Sequence, residues 1–144
     1  MPSFTHTLPV SADPSTVFGI VDDVGRTPEW LARCTGIDKL DDGPNRVGTP
    51  LRYHYRDGRR TGSMDGSIVA RVPDRHFTMQ FTDSMMDVTV DFAATPDGVG
   101  TSLTHTIDIA TKGFGLLFAP VIRHTLPKQT LDAMTRLKAL AERL

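Results

Sequence analysis

Between residues 37 and 111 the chain alternates apolar and polar positions. Phe77, Met79 and Phe81 share one parity, and so do Met86, Val88, Val90 and Phe92, with Asp87, Thr89 and Asp91 between them. Leu103, His105, Ile107 and Ile109 repeat the pattern against Thr104, Thr106 and Asp108. A period of two is that of a strand with one buried face. The pattern predicts strands over 37–40, 48–56, 61–72, 76–82, 86–94 and 101–111. Turn clusters separate them: Asp41-Asp42-Gly43-Pro44-Asn45, Asp57-Gly58-Arg59, Pro73-Asp74 and Thr95-Pro96-Asp97-Gly98. These turns are too short for parallel crossovers, so the run is an antiparallel meander. Gly62 and Gly66 weaken the 61–72 strand and mark candidate bulges or bends. An earlier strand over 3–10 carries Phe4, His6, Leu8 and Val10 on one parity.

Two short helices follow that first strand. Ser11 or Asp13 can cap the first, with Pro14 in its opening turn and Val17, Phe18, Ile20 and Val21 as its buried face. Thr27 and Pro28 open the second, which carries Trp30. The longest helical stretch is 115–144. Its apolar stripe is Leu126, Thr130, Ala133, Met134, Leu137, Leu140, Ala141 and Leu144, spaced by three and four. Pro120 suits a helix start, whereas Pro127 predicts a kink or break. The inward parity of the strands and this stripe need one another, because no other element is large enough to cover the sheet.

Composition narrows the classes. At 144 residues the chain has the size of one domain, taken as 1–144, with 16 basic and 17 acidic side chains and a net charge of −1. No basic stripe marks a nucleic-acid surface, so no nucleic-acid partner is expected. No apolar run reaches the ~18–20 residues of a membrane span, so no stable membrane insertion is expected. No signal peptide is visible, and a single Cys34 suits a reducing, cytoplasmic setting.

The order strand, two short helices, six strands, long helix resembles the helix-grip fold of the START/Bet v 1-like superfamily. More narrowly it resembles the SRPBCC, or polyketide cyclase/dehydrase, family. The residues that carry the resemblance are Pro14-Ser15-Thr16-Val17-Phe18, Pro28-Glu29-Trp30, Val47-Gly48-Thr49, Gly100-Thr101-Ser102-Leu103-Thr104 and Leu137-Lys138-Ala139-Leu140-Ala141-Glu142. The resemblance implies an α+β fold: a seven-stranded curved antiparallel sheet gripping the C-terminal helix, the short helices closing one end. It also implies an elongated apolar cavity between sheet and helix.

Polar residues on the inward parity are the candidate chemistry. His6 sits between Phe4 and Leu8, and His105 between Leu103 and Ile107. The resemblance makes their strands neighbours. Two imidazoles there can hold a ligand carbonyl or hydroxyl, or act as acid and base near neutral pH, and are the candidate catalytic pair. Each is equally a core histidine satisfied by a neighbour. Trp30, Tyr53, Tyr55, Met64, Phe77, Met79, Phe81, Phe92, Phe118 and Ile122 are the candidate ligand-binding residues. The segment 115–123 is a candidate edge of the cavity mouth. No third ligand with suitable spacing accompanies the histidines, so no metal and no cofactor are expected. Arg52, His54, Arg56, Arg59 and Arg60 cluster at one hairpin, as an anion receptor or as a solvated outer face.

Three functional readings stay open: a binder of a polyketide-, lipid- or aromatic-like molecule with cyclase/dehydrase activity, a non-catalytic carrier of such a molecule, and an interaction module with a filled core. The size of the cavity separates the third from the first two.

Overall fold

The computed structural model describes residues 3–143. Its strands are β1 (Ser3–Val10), β2 (Cys34–Lys39), β3 (Pro50–Asp57), β4 (Arg60–Val72), β5 (His76–Thr82), β6 (Met86–Asp97) and β7 (Gly100–Thr111). They form one seven-stranded sheet in the order β1-β7-β6-β5-β4-β3-β2, antiparallel throughout. The meander is the expected one. β1 closes the far edge by pairing with β7, His6 directly opposite His105. Threonine pairs stitch the outer face of this junction, Thr5 to Thr106 at 3.1 Å and Thr7 to Thr104 at 2.8 Å.

The helix α1 (Pro14–Asp22) starts as its sequence requires, with the Asp13 carboxylate accepting the Thr16 N–H at 2.8 Å. Its last residue, Asp22, anchors it to the sheet: Arg71 Nε and Nη2 each donate to one carboxylate oxygen at 2.9 Å. Burial acts to raise the Asp22 pKa, but the hydrogen bonds from Arg71 and Asn45 outweigh it and hold the carboxyl below its ordinary value. The second short helix is a 3-10 turn over Val24–Glu29, beginning three residues before Thr27. Thr27 is therefore no cap; it lies inside the turn and its hydroxyl donates to the Val24 carbonyl at 2.8 Å.

A second 3-10 turn, Gly113–Phe118, leads into α2 (Ala119–Glu142). Helix α2 runs for 24 residues and does not break at Pro127, which lies inside it. A proline in a helix interior costs about 3 kcal/mol. Burial of Leu126, Thr130, Ala133, Met134, Leu137 and Ala141 against the sheet outweighs that cost. Leu140 is half-buried, and Leu144 lies outside the described residues. Among the described residues, no helix is long and apolar enough to cross a membrane.

Two expectations about the strands need correction. The β4 bulge is at Val69, where the register with β5 slips between Ile68 and Ala70, not at a glycine. Gly62 and Gly66 keep regular pairing and are needed for close approach. Tyr55 faces Gly62 across β3–β4, and a Cβ there would meet its hydroxyl at 2.5 Å. A Cβ on Gly66 would overlap the Gln80 carbonyl oxygen and meet the Phe81 ring edge at 2.5 Å. The two glycines thus leave aromatic rings lying where side chains would stand. Strand β6 also runs past the expected turn, so Pro96 lies inside it, opposite Thr101. Pairing with β5 stops at Ala93, so the missing N–H of Pro96 faces no neighbour on that side.

Gly66→Ala should lower the unfolding free energy by about 1–3 kcal/mol, because the clash is with backbone and not with the tip of a flexible side chain. Urea unfolding measures it. Unchanged stability would mean that the two strands do not approach this closely.

Candidate functional site

The concave face of the sheet and α2 do not fill the space between them. Two abutting cavities remain, of about 110 and 130 Å3. The inner one is walled by β3 to β7, roofed by Leu126, Thr130 and Ala133 of α2, and closed at one end by Thr27, Trp30 and Leu31. The outer one lies under the start of α2, against Phe118, Val121, Ile122 and Thr125, and reaches Arg60 and Asp83. Arg33, Tyr55, Met86, Ile109, Leu126 and Gln129 border both.

The inner wall is mostly apolar, and its few polar atoms stand out. His105 is 4 % exposed, and neither ring nitrogen has a hydrogen-bond partner. Trp30 is 2 % exposed, and its Nε1 also lacks a partner. A buried polar group left unpaired costs about 1–3 kcal/mol. Packing orients both rings. His105 stacks on Phe92 with centroids 4.3 Å apart, and Phe92 meets Trp30 edge-on at 5.6 Å. Burial lowers the His105 pKa from 6.5 to about 4, and the Asp91 charge offsets this only in part. At neutral pH the ring is uncharged, with one nitrogen a donor and the other an acceptor.

Tyr53 and Tyr55 stack at 6.0 Å along β3, and Tyr53 also leans on Phe81 at 5.3 Å. Burial, then the neighbouring Cys34, pushes the Tyr53 phenol well above its ordinary pKa, so it remains a proton donor. Burial likewise pushes the Cys34 thiol up to about 11, against the Gly36 backbone N–H, which suppresses the thiolate a nucleophile needs. Among the described residues, His, Cys, Asp and Glu form no group of three or more that could hold a metal ion.

Of the candidate residues, Trp30, Tyr53, Tyr55, Met64, Met79, Phe81 and His105 meet on the inner cavity, and Phe118 and Ile122 on the outer one. His6, Phe77 and Phe92 border neither. His6 faces His105 in register, but it is half-buried beside Phe4 (centroids 6.3 Å apart) and makes no hydrogen bond to His105. Phe77 is fully buried against Phe18 of α1, 6.1 Å away. Phe92 stands behind His105, between it and Trp30. In the arginine hairpin, Arg52 pairs with Asp65 and His54 with Asp38 on the outer face, while Arg60 reaches the outer cavity. Arg33 was not among the candidates. Its only sequence signal is a lone cation between Trp30 and Cys34 in an otherwise uncharged stretch.

The fold has many solved counterparts. It superposes on the Zhui aromatase/cyclase from Streptomyces sp. R1128 with a TM-score of 0.78 at 17 % identity, over 98 % of this chain and 93 % of that one. A START superfamily protein from Mycobacterium smegmatis gives 0.78 at 17 % identity, over 98 % and 97 %. The di-domain ARO/CYC StfQ of the steffimycin biosynthetic pathway gives 0.79 at 14 % identity, over 98 % of this chain and 51 % of that one. At such identities the likeness is one of fold. No curated protein sequence matches the chain. Residues 1–142 match the family described as polyketide cyclase / dehydrase and lipid transport, and with the seven-stranded sheet gripping α2 this places the chain in that family.

Proposed function

We propose that this chain binds a small, mainly apolar molecule bearing a hydroxyl or carbonyl, held between the sheet and α2. The observation that carries the reading is His105, a neutral imidazole buried on an apolar cavity wall with both nitrogens unpaired. A ligand oxygen would satisfy one nitrogen as acceptor or the other as donor, and the apolar wall would supply the bulk of the binding energy. Trp30 Nε1 offers a second donor on the same wall.

Cavity size bounds the ligand. Each cavity, of about 110 and 130 Å3, is below the ~300 Å3 of ordinary ligand pockets and close to the ~150 Å3 that accommodates benzene. The two together suit one or two rings or a short acyl chain. The family description names both cyclase/dehydrase and lipid-transport members. Binding is the reading favoured here, because His6 lies off the cavity wall and leaves His105 without a second imidazole. A cyclase or dehydrase step is the second reading. It would rest on cavity-enforced folding of the substrate, with His105 taking a proton and the protonated Tyr53 donating a hydrogen bond.

Trp30 is the sole tryptophan and borders the inner cavity, so its emission reports occupancy. Titration with 2-naphthylmethanol should give a saturable change. His105→Phe should weaken that binding by about 2–10-fold, the worth of one neutral hydrogen bond, and leave naphthalene binding unaltered. A non-saturable response to both compounds would refute the reading.

The same histidine sets an acid limit to stability. Unfolded, its pKa returns to 6.5; folded, it is about 4. Between those values the unfolded chain binds a proton that the folded chain refuses, so stability falls as pH drops through the window and levels off below it. Urea unfolding at pH 7 and pH 4.5 should show the parent losing about 2–3 kcal/mol more than His105→Phe. Equal losses would place His105 in contact with water.

A further inference from the structure

Arg33 lies in the turn between the first 3-10 helix and β2, where it borders the inner and outer cavities together. Its guanidinium carbon lies 4.8 Å over the Tyr55 ring, and its Nε is buried without a hydrogen-bond partner. Among the described residues, Arg26, Arg46, Arg52, Arg71 and Arg136 each have a carboxylate partner, and Arg33 has none. A guanidinium cannot shed its proton as a buried lysine can, so the charge persists. The Tyr55 face offsets part of its desolvation but cannot accept the in-plane N–H groups.

The other charges on these cavities do not answer it. Arg60 adds positive charge at the outer cavity. Asp83 is the carboxylate there, and its Oδ1 already accepts the Met85 and Met86 N–H groups at 2.7 and 2.9 Å. Arg71 and Arg26 each meet a carboxylate through Nε and Nη2 together, with Asp22 and Glu29. The Nε of Arg33 has no such partner.

Building on the small apolar ligand argued above, we propose that Arg33 anchors a carboxylate on that ligand. The cavities then select an aromatic or short aliphatic acid, with its anionic end on the Arg33 fork and its apolar body in the inner cavity. A neutral ligand of the same shape leaves Arg33 uncompensated and binds more weakly.

The test compares 2-naphthoate with 2-naphthylmethanol, which share a ring system and differ in charge, by Trp30 emission. The parent should bind the carboxylate about tenfold or more tighter, the increment of a charge-assisted hydrogen bond. Arg33→Met should abolish that preference, and Arg33→Lys should keep part of it, since charge remains and the fork is lost. Arg33→Gln serves if the Met variant does not fold. Equal affinities in the parent, or a preference that survives in the Met or Gln variant, would overturn the assignment and leave the binding function intact. Failure of both compounds to bind the parent would overturn both.

Discussion

Everything in this molecule depends on how far one helix covers one curved sheet. The concave face presents a mostly apolar surface from β3 to β7, and α2 lies across it. From Leu126 to Ala141 the helix buries its stripe, with only Leu140 left half-buried. Its far end is tied to β1, with Lys138 Nζ donating to the Pro9 carbonyl at 3.0 Å and Glu142 accepting the Ser11 N–H at 2.7 Å. Towards its start the fit lapses. Val121 is 58 % exposed, and Phe114, Leu116 and Leu117 just before the helix are exposed as well. The outer cavity lies under this loosely fitted start of the helix, and the inner one continues beneath Leu126, Thr130 and Ala133.

The sheet contributes to that gap through missing side chains. Gly62 and Gly66 stand on the concave side of β4, and Tyr55 and Phe81 lie across them. Larger residues at these two positions would push the rings into the space a ligand needs. The same rings, with Met64 and Met79, make a wall that is flat, apolar and adaptable. Against it the unpaired nitrogens of His105 and Trp30 and the unpaired Nε of Arg33 are costly features for a folded chain to keep. Stability is ordinarily given up in this way where a ligand is to be met.

Much of the fold was legible in the alternation itself. The inward residues of β5, β6 and β7 and the buried stripe of α2 follow from counting by two and by three or four. What the alternation hides is distance. A glycine in a strand reads as a weak point, and only the Cβ positions of its neighbours show that Gly62 and Gly66 are close-approach sites. The bulge falls at Val69, whose β-branched side chain gives no hint of it. Pro127 reads as a helix break because the cost is local, whereas the burial that overrides it comes from strands far away in sequence.

The site was legible on the same terms. Parity places His105 and Tyr53 on the inner face, and so too His6 and Phe77, because it cannot tell a cavity wall from the packed ends of the sheet. Arg33 belongs to no periodic element, so no pattern could mark it. The central claim is that the space between sheet and α2 is occupied in use by a small apolar molecule. Native mass spectrometry of the chain as expressed tests this most directly. The account predicts a non-covalent mass increment, released under denaturing conditions, with the mass of a one- or two-ring compound or a short acyl chain, and lost in a Gly62→Phe variant that fills the cavity. A bare chain mass both as expressed and after incubation with 2-naphthylmethanol would contradict it.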